Sequence, residues 1–192
     1  MLSVFAVLLI PFGVAMQSAG YLTVAFVSGG SFFVALAFLY KAIKASDISV
    51  ASTMSGITTA VFTYFFAVAF VGDPSGLVNI IAIAILVVGM VFLGQTGKKI
   101  WPLTVWAGLF FAASFVLLKL SFDNSDFING LFWTRMGFVV VALLSLTVKP
   151  LRNEVVSSIR GIVRPRSGTV FVANKVVATV GFLTLYYAIK LG

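Results

Sequence analysis

The side chains able to do chemistry in this chain are few, and their types narrow its function sharply. There is no cysteine and no histidine, so disulfides, thiolate nucleophiles and imidazole metal sites are not on offer. The five acids, Asp47, Asp73, Asp123, Asp126 and Glu154, all fall in loops or at the ends of apolar runs. No buried acid is therefore expected to carry protons or attract a cationic solute. Intramembrane aspartyl proteolysis needs two buried aspartates and metalloproteolysis needs histidines, so no catalytic residue and no cofactor are expected. A retinal Schiff base on the lysine of the last apolar run would need a buried carboxylate counter-ion, and the sequence supplies none there.

What remains is cationic. Lys175 lies inside the last apolar run, seven residues after Gly168 and so about 10 Å along a helix. An ammonium at membrane depth costs roughly 2.5–3.5 kcal/mol on insertion scales, so it faces protein, water or a solute in preference to lipid. Asn174 beside it offers both a donor and an acceptor. Two readings stand: Lys175 lines a cavity and meets a carboxylate or phosphate, or it snorkels to the near interface. Arg135 is shallower in its run; snorkelling is the favoured reading for it, and it stands with Lys175 and Asn174 as a substrate-binding candidate.

The elements that must position these groups are membrane segments. With 61% hydrophobic residues, 9% charged and a mean hydropathy of +1.16, 192 residues exceed what one soluble core can hide. Segments are expected at about 1–19, 21–41, 51–71, 77–94, 102–120, 130–148 and 168–190, each near the ~20 residues that a ~30 Å hydrocarbon layer requires. Pro11 and Gly13 interrupt the first. The first charge is Lys41, so the N-terminus lacks the basic region of a signal peptide and reads as structure. The fold class expected is all-α, a polytopic bundle of about seven transmembrane helices.

Within the run 51–71, Ser52, Gly56, Thr59, Thr63 and Ala67 fall on one helical stripe. It is read either as a cavity wall, with Thr59 and Thr63 as substrate-binding candidates, or as close packing through small residues. Gly108 and Ala112 carry only the packing reading.

Sliding the chain by 146 positions lays Leu39–Lys44 on Leu185–Lys190, with Thr23 and Val24 on Thr169 and Val170 and Ala35 on Gly181. The matched segments are an odd number of crossings apart, so they traverse the membrane in opposite directions, as in an inverted repeat. The first repeat is read as 1–95 and the second as 101–192.

The stretch from Ala60 to Asp73, AVFTYFFAVAFVGD, resembles the fourth-helix signature of EamA-type transporters of the drug/metabolite transporter superfamily. Leu86 to Leu93, with its late glycine, is similar to that family's fifth helix. Phe110 to Leu120 with Lys119, then Phe132 to Gly137 with Arg135, resemble the sixth helix and the arginine-bearing start of the seventh, and Val170 to Lys175 the eighth. Ala60 stands where the family usually has proline, Asp73 where it has glutamate, and Lys175 where an acid often follows the asparagine. The resemblance implies a ten-helix inverted-repeat transporter of which this chain is a part, lacking the first helix and the last two. It also implies alternating-access movement of small metabolites, anionic ones if Lys175 lines the cavity. The other reading is a non-transporting membrane fragment or scaffold.

The net charge of +8 sits mostly in loops, where a topogenic role accounts for it better than nucleic-acid binding. Nine basic residues (Lys41, Lys44, Lys98, Lys99, Lys149, Arg152, Arg160, Arg164 and Arg166) fall on one face against three on the other, so the first face is expected to be cytoplasmic. The resemblance implies the opposite orientation. Expected partners are the lipid bilayer of the cell membrane and a small-molecule substrate, with a homo-oligomer left open and no nucleic acid.

Overall fold

The computed structural model describes residues 14–71, 76–96, 99–149, 152 and 165–191, and among them it is all helical, with no strand. Six helices run in order: α1 Ala19–Ala45, α2 Ile48–Phe66 prolonged by a π turn Ala67–Val71, α3 Leu77–Thr96, α4 Trp101–Asp123, α5 Phe127–Ser145 and α6 Pro165–Leu191. Four stretches, Ala19–Ala45, Ile48–Phe70, Trp101–Asp123 and Phe127–Ser145, are long and apolar enough to cross a membrane; Leu77–Phe92 and Val176–Lys190 are shorter apolar stretches. The membrane character read from composition holds. Of the expected first segment, residues 1–13 lie outside the described residues and 14–18 are not helical.

Local chemistry fixes where helices begin and end. Asp47 and Asp126 sit in extended conformation at the N-caps of α2 and α5, where a carboxylate meets the positive end of the helix dipole. Lys44 and Lys190 close the last turns of α1 and α6, at the negative ends. This is why α1 runs on to Ala45, beyond the expected stop at 41: its lysines belong to the helix.

The chain divides into two compact units, 30–120 and the pair 1–29 with 121–192. In the first, the C-terminal two-thirds of α1 stack antiparallel on α4 through Phe32 against Phe111 at 5.3 Å and Phe38 against Phe110 at 6.0 Å. α2 runs parallel to α4. Thr58 donates to the Thr104 carbonyl at 3.0 Å, and Gly108 packs so closely on Thr58 that an added Cβ would overlap it. Ala42, Ala51, Met54 and Ile100 form a fully buried cluster there. At the α2–α4 crossing a hydroxyl and a glycine make the closest contact because lipid is as apolar as leucine, so close approach and hydrogen bonds hold membrane helices together.

In the second unit, the start of α1 runs parallel to α5. A Cβ on Gly137 would lie 2.6 Å from the Phe26 Cα, and one on Gly29 would enter the α5 backbone at Thr134 and Phe138. Only glycine permits that crossing. Residues before α1 are pinned to the same helix: Asn129 Oδ1 accepts from the Ala15 N–H at 3.0 Å, and Trp133 Nε1 donates to the Ala15 carbonyl at 3.2 Å. α6 runs antiparallel to α5, because Phe127 at the start of α5 meets Tyr187 and Lys190 near the end of α6. Within this unit α1 and α6 therefore run in opposite directions.

Candidate functional site

The polar residues of α5 point inward. Asn129, Thr134 and Arg135 are all buried in a helix otherwise dominated by apolar residues. Arg135 is only 5% exposed, which corrects the expectation that it snorkels. The helix begins at Phe127, so Arg135 is its ninth residue of nineteen, about 12 Å from the start and close to the middle of its length. At that depth the charge has no interface within reach and must be accommodated by protein.

Tyr186 of α6 does so. It is 1% exposed, and its hydroxyl accepts a hydrogen bond from Arg135 Nη2. The guanidinium carbon lies 4.7 Å from the Tyr186 ring centroid and 5.8 Å from that of Phe182, both cation–π distances. Phe122, itself buried, meets Tyr186 edge-on at 6.3 Å and fills the space above Gly130, where an added Cβ would overlap its ring. Gly130 thus makes room for Phe122, which in turn holds Tyr186. One position before the arginine, the buried Thr134 hydroxyl makes no hydrogen bond. The described acids Asp47, Asp123 and Asp126 are exposed at helix ends, as the sequence led us to expect.

The other candidates are placed as follows. Asn174 and Lys175 lie in α6, with their side chains outside the described residues. Because α6 begins at Pro165, Lys175 is about 15 Å along it, and eleven residues, about 16 Å, separate it from Tyr186. Thr59 and Thr63 are half-buried in the other unit. Thr59 Oγ1 donates to the Ser55 carbonyl at 2.7 Å, and Thr63 Oγ1 is buried without a hydrogen bond. On the same stripe Ser52 and Gly56 are exposed, and a Cβ on Gly56 would meet nothing within 4 Å. The packed face of α2 is instead Ala51, Met54, Ser55 and Thr58. Gly108 and Ala112 pack, as read.

Beside the π turn of α2, Phe66, Phe70, Ala113, Val116, Leu117 and Leu120 line a recess of about 300 Å³. Every lining residue is apolar, so the recess offers a charged solute no partner.

The sequence reading named Arg135 as a candidate but missed Tyr186, Asn129 and Thr134. A signal was present: an amide, a hydroxyl and a guanidinium at 129, 134 and 135 fall on different sides of one apolar helix, as in a helix surrounded by protein over that stretch. No protein-family model matches the chain, and no curated protein or solved structure is found to be similar to it. Fold and site together define a class, an all-helical membrane protein with a guanidinium buried within its helices.

Proposed function

We propose that this protein is a secondary transporter that moves small metabolites across the cell membrane by alternating access between two inverted halves, 1–95 and 101–192. One observation carries the reading. α1 and α6 are each 27 residues long, each bound of α6 lies 146 positions after the matching bound of α1, and within the unit they share the start of α1 runs opposite to α6. That offset is the one that superposes Leu39–Lys44 on Leu185–Lys190. Inverted repeats build carriers because two similar halves of opposite direction have two equivalent arrangements, one open to each side. The charge buried near mid-helix in α5 agrees with a solute path, since ionisable residues inside a bundle mark such paths.

The test is uptake by proteoliposomes containing the full chain, with radiolabelled pyruvate, succinate, alanine, glucose and uridine as probes. Saturable uptake of at least one, accelerated by the same solute inside the vesicle, is expected. Uptake no faster than in protein-free vesicles for all five, with the protein shown to be inserted, would instead favour a structural role.

A further inference from the structure

We propose that the seam between α1 and α4, at the end where Lys41 and Lys99 lie, binds an anionic membrane phospholipid by its phosphate headgroup. The inference stands apart from the transporter reading and requires no movement of the bundle.

The packing of three helix ends sets the place. Ala42 of α1, Ala51 of α2 and Ile100, which directly precedes α4, share one fully buried cluster. Lys41 is next to Ala42 and Lys99 next to Ile100, and both lysines are exposed. Two ammonium groups from different elements are therefore held around one core. Of the described acids only Asp47 lies at this end, because Asp123 and Asp126 lie at and beyond the far end of α4. Setting Lys44 against Asp47 leaves the charges of Lys41 and Lys99 in excess, the complement of an anion.

Next to the charges the seam is aromatic. Antiparallel packing of α1 on α4 stacks Phe38 on Trp106 with ring centroids 6.4 Å apart, and Phe38 is only three residues, about 4.5 Å, before Lys41. Trp106 is 49% exposed and Trp101, beside the lysine end, is 37% exposed. Tryptophan is enriched at the level of lipid headgroups, where one part of its ring system is apolar and one part is wet. Cations at the head of the seam and rings along it match the two parts of a phospholipid, anionic headgroup and hydrocarbon chain. A free anion would meet the cations alone.

The repeat separates this arrangement from helix termination. Lys44 and its counterpart Lys190 both stand in last turns, whereas the counterpart of Lys41 is the neutral Tyr187. The same helix end is thus completed without a cation at that position. The leaflet is consistent too, since loop charge puts these lysines on the cytoplasmic side, where membranes carry their anionic lipids and where basic clusters at helix ends hold such headgroups.

Native mass spectrometry of the purified full chain in detergent, titrated with dioleoyl phosphatidylglycerol or dioleoyl phosphatidylcholine, counts bound lipids and yields a Kd for each. Phosphatidylglycerol should bind roughly ten-fold or more tightly than phosphatidylcholine. Lys41→Gln and Lys99→Gln should each weaken phosphatidylglycerol binding about five-fold, and the double variant roughly thirty-fold, with phosphatidylcholine unchanged. Lys149→Gln, which removes an exposed lysine of the other unit, should leave both Kd values as they are.

Equal Kd values for the two lipids would overturn the proposal, as would phosphatidylglycerol binding that survives the double substitution. Weakening by Lys149→Gln as large as by Lys41→Gln would overturn the assignment to this seam, because diffuse surface charge would then account for the preference. Displacement of phosphatidylglycerol by an equal concentration of inorganic phosphate would overturn the lipid assignment. Should one single variant fail to fold, the other decides.

Discussion

The hexapeptides Leu39–Lys44 and Leu185–Lys190 differ at one position, Lys41 against Tyr187, yet they bury opposite faces. In α1, Tyr40 is exposed and Ala42 is 0% exposed, packed with Ala51, Met54 and Ile100. In α6 the tyrosine is inward, against Arg135 and Phe122, and Ala188 is exposed. Two residues turn a helix by roughly 200°, so the same local sequence presents nearly reversed faces. Neither hydropathy nor propensity distinguishes the two copies. What differs is the neighbour. A close helix with small residues draws in the alanine, and a buried guanidinium draws in the hydroxyl and ring of the tyrosine. One partner residue, rather than a new helix, is enough to turn the same local sequence to a different face.

The comparison breaks most severely where α5 is held. Gly137→Val would drive a branched side chain into the Phe26 backbone and displace the helix that carries Arg135. We expect a loss of about 3 kcal/mol or more, read as a large fall in Tm. Gly181→Val in α6, where an added Cβ meets nothing within 4 Å, should change Tm little. A matching result for the two glycines would mean that the α1–α5 crossing does not hold the site.

The repeat itself is sharpened by paired enlargements. Ala42→Leu should cost about 1–3 kcal/mol by overpacking its buried cluster, while Ala188→Leu at the counterpart stays within about 0.5 kcal/mol. Unfolding midpoints of the two variants compare them directly, and equal losses would contradict the difference in facing. The smallest expected effect concerns adjacent threonines. Thr58 donates to the Thr104 carbonyl on α4, whereas the hydrogen bond of Thr59 stays within α2. Thr58→Val should cost about 0.6 kcal/mol, the scale of an interhelical hydrogen bond in a membrane protein, and Thr59→Val less.

Much of the fold was legible because long apolar runs have few alternatives in a lipid solvent. Helices near 21–41, 51–71, 77–94, 102–120, 130–148 and 168–190 are present, shifted at their ends where charged or polar residues turn out to be helical. Lys44 and Pro165 show why: a lysine stabilises a last turn and a proline suits a first one, so neither needs to stand in a loop. Facing was less legible. The stripe Ser52–Gly56–Thr59–Thr63 and the packed set Ala51–Met54–Ser55–Thr58 are neighbouring faces of one helix with similar residue types, and only the partner helix tells them apart. Arg135 was misjudged as snorkelling for the same reason. Its partner lies 51 positions away in sequence, and nothing local announces a tyrosine that will meet it.

Orientation follows from loop charge and is tested independently of the site. The basic loop 149–166 should be cytoplasmic and Asn124 outside. In this cysteine-free chain, Asn124→Cys should label with an impermeant thiol reagent on intact cells, and Ser157→Cys should not. Asn124 is chosen because it is exposed, whereas the hydroxyl of neighbouring Ser125 is bonded to Tyr21 at 2.7 Å. Labelling confined to Ser157→Cys would reverse the orientation.

The transporter proposal puts the buried Arg135–Tyr186 pair on the solute path, and the two tyrosines test it most directly. Initial rates of radiolabelled pyruvate, succinate and benzoate uptake would be measured in proteoliposomes of the wild-type chain, Tyr40→Phe and Tyr186→Phe at matched protein content. The account predicts saturable uptake of a carboxylate by the wild type and by Tyr40→Phe alike, with a fall of roughly ten-fold in kcat/KM for Tyr186→Phe. Equal rates in the two variants, or no saturable uptake by the wild type, would contradict it.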